Sequence, residues 1–345
     1  MSNLSAAIWG YDSDLLNADA LGVDLEADSL FRYQERICLV QLTDGETSVL
    51  VDPFEETTEV LSTSILGRAV WMHGADYDMA LMKREWGGVP TQVWDTQIGA
   101  RLLGSLRFGY AHLVEEYFGV ELSKGSQKAD WGRRPLPEKM AEYALNDVRY
   151  LIPLARKILQ RLEEMGRTEW FEESCEWERQ RALAREVSKE DLWRVKGSGK
   201  LDRRTLAFLK ALWEWREGEA ESWNRPSFMV ATNKDLLGWA LAAAGGKRLD
   251  LPRQMRSDRR KRLFEAMDET RVLPEESWPD KIRGFRRERD LEKEKQVDEL
   301  LKRRERLAGE LELEPAVIAS RAALEGFVNG EDDRLMGWQA SLLNL

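Results

Sequence analysis

Apolar residues follow two rhythms along this chain, and the point where one yields to the other limits what it can fold into. From Leu21 they come in short, strand-length runs, LGVDLEAD, ICLVQLTDG and TSVLVDP, the last two joined at a Gly-containing turn. These three read as a meander. A helix-like TTEVLSTSILG, another short strand, AVWMHG, and the helix DYDMALMKREWG ending at Gly87 follow. Strands with interposed helices predict an α/β layer fold. Beyond Asp95 the period is helical: DTQIGARLLG, GYAHLVEEYFGV and the long PEKMAEYALNDVRYLIPLARKILQRLEEMG. Pro137 sits near the start of that last helix, and Pro153 is expected to kink it.

From about residue 188 no strand-like run remains. Ser188 with Asp191, and Thr232 with Asp235, have the spacing of capping boxes, with Asp in place of the usual Glu. Gly197 and Gly199 flank a joint, and Pro274 and Pro279 precede a charge-dense stretch, KIRGFRRERDLEKEKQVDELLKRRER, expected as an exposed helix or linker. A chain of 345 residues exceeds what one core usually organises. The expected domains are residues 1–185, 186–275 and 276–345.

The net charge of −10 argues at first against a polyanionic partner, but the distribution of that charge points the other way. Residues 1–170 hold 27 acids and 17 bases, whereas 171–345 hold 35 of each. Within the second half, KRLDLPRQMRSDRRKR (247–262) has eight bases against two acids. This makes Arg256, Arg259, Arg260 and Arg262 candidate phosphate contacts. An ordinary solvated helix face is the competing reading. Cys38 and Cys175 stand too far apart for a metal-thiolate motif and read as buried apolar fillers. No run approaches the roughly 18 apolar residues of a membrane span. The opening MSNLSAAIWGYDSD has no secretory pattern, so cytoplasm is the expected location.

Alternation in VDLEADS points Val23 and Leu25 to one face of a strand and Asp24 and Glu26 to the other. Such pairs are common on solvated faces. In a mostly buried sheet, however, like charges need a cation to neutralise them. Asp78 opens a helix after a strand, where it also suits the helix dipole. Asp147 sits mid-helix among apolar neighbours, with Tyr143 four residues earlier on the same face. Four carboxylates suit two hard divalent ions, Mg²⁺ or alternatively Mn²⁺, that act on a phosphodiester. This chemistry requires no organic cofactor and no His or Cys cluster.

VDLEADS, H-x4-D in HGADYD, the DT of VWDTQIGARLLG, DWGRRPLP and YALNDVRYLIPL, in this order, resemble the exonuclease motifs of the DEDD superfamily as found in the ribonuclease D family. The similarity covers roughly residues 20–165. It implies a ribonuclease H-like mixed sheet flanked by helices, with Asp24, Glu26, Asp78 and Asp147 as metal ligands and Tyr143 orienting the attacking water. The position five residues before Asp147, a histidine in the sister subclass, is Glu142, so the tyrosine subclass is indicated. Asp95 reads as a helix cap. Trp131, Arg134 and Pro135 read as packing, and Gln41 and His73 either line the substrate groove or make structural hydrogen bonds.

LDRRTLAFLKALWEWREGEAESWNRPSFMVATNKDLLGWA is similar to the HRDC domain, a helical nucleic-acid-binding module, and LKRRERLAGELELEPAVIASRAALEGF more weakly resembles a second one. What the resemblance implies is a 3′-to-5′ exonuclease acting on RNA 3′ ends, with tRNA or other structured RNA as substrate. Single-stranded DNA is the alternative substrate, and a catalytically inactive binding protein the alternative of another class. Every expected ligand precedes residue 185, so a chain cut there is expected to fold and to cleave short single strands.

Overall fold

The computed structural model describes residues 15, 18–54, 58–123, 125–185, 191–281 and 290–345. Strands β1 (Gly22–Ala27), β2 (Ile37–Thr43) and β3 (Ser48–Val51) form the expected antiparallel meander. On the other side of β1, β4 (Ala69–Met72) and β5 (Gln92–Asp95) continue the sheet in parallel. The order is β3-β2-β1-β4-β5, a mixed sheet with β1 at its centre. Strand β5 is not among the runs expected from the sequence. Four residues ending in the first helical run show too little alternation to stand out.

Val23 and Leu25 of β1 join Val40 and Leu42 of β2 in a core closed by α1 (Thr58–Leu66) and α2 (Asp76–Trp86), through Leu61, Ile65, Met79 and Met82. The opposite sheet face carries Gly22, Asp24 and Glu26. Behind it lie α3 (Thr96–Leu102), α4 (Tyr110–Phe118), α5 (Glu138–Arg149), α6 (Leu151–Glu164) and α7 (Thr168–Ala184). Gly22 has no Cβ for a steric reason: one would lie 2.7 Å from Thr43 Cγ2 and 3.1 Å from Leu151 Cδ2. The missing methyl lets α6 approach β1 two residues from Asp24.

The single kinked helix expected over 137–165 is two helices. Tyr150, at φ −101°, separates α5 from α6, and its N–H donates to the Tyr110 hydroxyl at 3.1 Å. Pro153 falls in the first turn of α6, where an N–H has no intrahelical partner to lose. The break therefore precedes the proline.

Two compact units emerge, one comprising the described residues of Met1–Ala27, Arg36–Arg185 and Glu288–Leu345, the other those of Asp28–Glu35 and Glu186–Arg287. The second unit is helical, built from α8 (Arg203–Trp223), α9 (Ser227–Val230), α10 (Asn233–Ala244) and α11 (Ser257–Arg271) around Phe208, Leu212, Trp215, Trp239 and Met267. The Thr232–Asp235 capping box is present in both directions at the start of α10. The expected Ser188–Asp191 box involves residues outside those described, as do residues 282–289 of the charge-dense stretch.

The chain returns to the first unit with α12 (Leu291–Leu311), α13 (Pro315–Ile318), α14 (Arg321–Val328) and α15 (Gly337–Leu342). Trp338 stacks on Trp170 of α7 with ring centroids 4.8 Å apart, and its indole N–H donates to Ser174 at 3.1 Å. Glu173 accepts from the N–H groups of Gly337 and Trp338, capping α15 from a neighbouring helix. Arg167 donates to the Leu311 carbonyl at 2.8 Å. A cut after residue 185, expected to release a complete nuclease, thus removes part of this unit's own packing.

Candidate active site

Alternation along β1 places Asp24 and Glu26 on the face that α5 covers. Helix α5 buries Met140, Ala141, Ala144, Leu145 and Val148, leaving Tyr143 and Asp147 along its half-buried edge. The two elements meet so that carboxylate oxygens of Asp24, Glu26 and Asp147 lie within 4.8 Å of one another. With Leu25, His73, Tyr110, Gln127 and Tyr143, these three acids line a cavity of about 240 Å³.

Burial dominates the electrostatics. It pushes the Asp24 carboxyl up to about 7, against a backbone hydrogen bond from Leu25 that lowers it. It pushes Asp147 up to about 8, with the Asp24 charge adding to the rise and a hydrogen bond with Tyr143 opposing it. Glu26 is raised well above the ordinary carboxylate range, first by burial and then by Asp24, Asp147 and Asp78. Asp78, 7% exposed in the first turn of α2, is raised by burial and then by Asp24 and Asp95. It interacts with the trio without joining its tightest group. Burial followed by the Asp147, Glu26 and Asp24 charges holds the Tyr143 phenol far above neutrality, so this residue stays protonated.

Asp95 caps α3 as expected and does more. Its carboxylate accepts from Gln97 N–H at 2.7 Å and from Gly74 and Ala75 N–H at 2.9 Å each. One side chain thereby ties the start of α3 to the loop that sets His73 and Asp78. His73 lines the cavity, and its Nδ1 meets Thr96 Oγ1 at 2.9 Å; burial lowers its pKa and keeps the ring neutral. Arg134 is packing, as expected: it bonds to Asp52 and to the carbonyls of Cys38, Trp131 and Arg133. Cys38 and Cys175 are buried.

Other expectations need correction. Gln41 has no exposed surface, because β2 is inside the sheet and covered on both faces, so it cannot line a groove. Arg259 and Arg262 turn inward to Glu219, only 5% exposed, at 3.1 Å and 3.0 Å. Their hydrogen bonds hold the Glu219 carboxyl below its usual value. Between them they neutralise a carboxylate that is almost fully buried, which gives both a structural role. Arg260 reaches back to the Pro252 carbonyl at 3.4 Å, and Arg256, 3.7 Å from Asp258, is the most exposed of the four, followed by the half-exposed Arg262. Conversely, Tyr110 and Gln127 line the cavity without having been singled out. Neither belongs to a charged pattern, and only the approach of α4 and the 125–130 turn to β1 brings them there.

Residues 11–163 match the family model described as 3′-5′ exonuclease. Ribonuclease D of Escherichia coli is 31% identical over 271 residues, covering 75% of this chain and 72% of the relative. The chain belongs to the ribonuclease D family. It is accordingly a 3′-5′ exonuclease, a hydrolase. The ribonuclease D of Zymomonas mobilis is 28% identical over 97% of this chain and 89% of its own. The crystal structure of E. coli RNase D, described as an exoribonuclease involved in structured RNA processing, superposes with a TM-score of 0.74 at 26% identity, covering 96% of this chain and 92% of that one.

Membership in this exonuclease family implies divalent metal ions. The acidic cluster fits them: the donors are all carboxylate oxygens, as hard cations prefer, and buried like charges are stable together only when neutralised. Among the described residues no helix is long and apolar enough to cross a membrane.

Proposed function

We propose that the protein shortens RNA from the 3′ end, releasing nucleoside 5′-monophosphates, and that structured RNA such as tRNA precursors is its substrate. The observation that carries this reading is the convergence of Asp24, Glu26 and Asp147 beside a protonated Tyr143 in an open cavity. The RNA preference rests on the relatives, E. coli RNase D above all.

Asp24, Glu26 and Asp147, with Asp78 flanking them, are the residues that would hold two Mg²⁺ ions, Mn²⁺ being the substitute. When bound, such ions lower the pKa of water and neutralise charge on the phosphate. The acids themselves must give up protons to become ligands, which couples binding to pH. Tyr143 is too weak an acid to serve as a base near neutrality, so it orients the attacking water by hydrogen bonding while Asp147 anchors its hydroxyl. Water oxygen bonds to phosphorus, the bond to the 3′ oxygen breaks, and that oxygen takes a proton. The phosphate stays on the departing nucleotide's 5′ oxygen.

Retention of longer RNA is assigned to the helical region 186–275, where Arg253, Arg256 and Lys261 are exposed. The nuclease region is taken as 1–185, and 276–345 as a helical segment of HRDC-like sequence whose helices from residue 291 pack within the nuclease's own compact unit. A cytoplasmic location suits both the substrate and the low cysteine content, two residues, both buried.

The test uses end-labelled structured RNA and single-stranded DNA of matched length, with Mg²⁺, with Mn²⁺ and with EDTA. Stepwise release of 5′-monophosphates from RNA, abolished by EDTA, is expected. Activity that survives EDTA would remove the metal-dependent reading, and equal turnover of DNA would remove the RNA assignment.

A further inference from the structure

Gln41 carries a buried amide beside the acidic trio, and its position across β1 and β2 determines what it can reach. The antiparallel register pairs Gln41 directly with Asp24. Directly opposed residues share a sheet face, with Cβ atoms about 4.5–5.5 Å apart. Gln41 thus extends on the Asp24 side of the sheet, beneath α5, with 0% of its surface exposed. Neither its Nε2 nor its Oε1 meets a hydrogen-bonding partner among the described residues. Most buried polar side-chain atoms have one, and leaving a donor or acceptor unpaired costs about 1–3 kcal/mol.

Asp24, for its part, is short of donors. The Leu25 N–H is the hydrogen bond identified at its carboxylate, against about four lone-pair positions on an ionised carboxylate. Asp147 has the Tyr143 hydroxyl, and Asp95 has three backbone N–H groups. A carboxylate that ligates a cation through one oxygen is usually held at the other by a hydrogen bond, and such supporting groups set its orientation. An apolar residue would fill the space under α5 without an unpaired amide.

We propose that Gln41 is a positioning residue for the metal centre: its Nε2 donates to the Asp24 carboxylate when that carboxylate turns to ligate a divalent cation. This rests on the reading of Asp24 as a metal ligand and adds a residue on a different strand. Gln41 touches neither substrate nor the reacting atoms. It acts through Asp24 alone.

The experiment compares the full chain with Gln41→Met, which removes the amide and keeps an apolar side chain of similar length, and with Asp24→Asn. Mn²⁺ affinity is measured by calorimetry, melting temperature in EDTA by fluorescence, and kcat and KM on end-labelled RNA. Gln41→Met should bind Mn²⁺ about 10–100-fold more weakly. It should lower kcat at subsaturating metal while leaving KM for RNA near the parent value, and melt in EDTA no lower than the parent, since the lost amide had no protein partner. Parental Mn²⁺ affinity in Gln41→Met would overturn the proposal. So would a lower melting temperature in EDTA or failure to fold, either of which would make Gln41 a packing residue. If the parent binds no Mn²⁺, or Asp24→Asn binds it as well as the parent, the metal-site reading itself fails; a failure confined to Gln41→Met leaves that reading intact.

Discussion

Asp24 and Asp147 titrate near about 7 and about 8, whereas an unfolded chain titrates aspartate near about 4. Between those values the folded protein without metal binds more protons than the unfolded chain, so its stability falls as pH rises through this window, and the raised Glu26 and Asp78 act in the same direction. In EDTA the melting temperature should decline from about pH 5 to about pH 8.5, and the increment produced by Mg²⁺ should grow over the same window. Differential scanning fluorimetry across that range checks both, and a melting temperature that rises with pH in EDTA would mean that the cluster is neutralised from within the protein. Tyr143 offers a second residue-scale test. Losing its hydroxyl removes a positioned hydrogen bond but no ligand, so Tyr143→Phe should lower kcat about 10- to 1000-fold with little change in RNA affinity. An equal loss in affinity, read by titration on uncleaved RNA in Ca²⁺, would make Tyr143 a base-packing residue instead.

At the scale of elements, the site depends on how closely α6 and α5 approach the sheet. Gly22→Ala places a methyl 2.7 Å from Thr43 Cγ2, so strand or helix must shift. Overpacking of this kind costs typically about 1–3 kcal/mol. Thr43→Ser removes the offending Cγ2 while keeping the hydroxyl that accepts from Gly45 N–H and donates to the Thr47 carbonyl. Urea unfolding should show Gly22→Ala destabilised and the double variant partly restored, a positive coupling between neighbours. Strictly additive losses would place the strain elsewhere, against Leu151. Other element ends follow local chemistry: Asp202 caps α8, Thr232 and Asp235 cap α10, and Asp290 caps α12.

Across the whole molecule, the last helices belong with the nuclease sheet in one compact unit. Trp338 is 7% exposed and belongs to the same buried apolar cluster as Phe171 and Leu162 of that unit. Truncation after residue 287 should therefore lower the melting temperature markedly and expose apolar surface to a hydrophobic dye. Trp338→Ala alone should cost about 3–5 kcal/mol. If the truncated chain melts like the parent, α12–α15 are an appendage rather than part of the unit.

What the sequence determined by itself was whatever a single element records about its own faces. Alternation placed Asp24 and Glu26 together on β1, helical spacing placed Tyr143 with Asp147, and motif order led to the exonuclease family. These signals survive because each lies within a few residues of chain. Tertiary structure alone decided the rest. The inward turn of Arg259 and Arg262 depends on Glu219, 40 and 43 residues away, and a charge run carries no mark of a partner on another helix. The burial of Gln41, the break at Tyr150 answered by Tyr110, and the docking of α15 on α7 likewise arise from groups distant in sequence. Periodicity tells which side of an element is apolar; it does not tell what that side will meet, because contact is fixed only when separate elements compete for the same buried space.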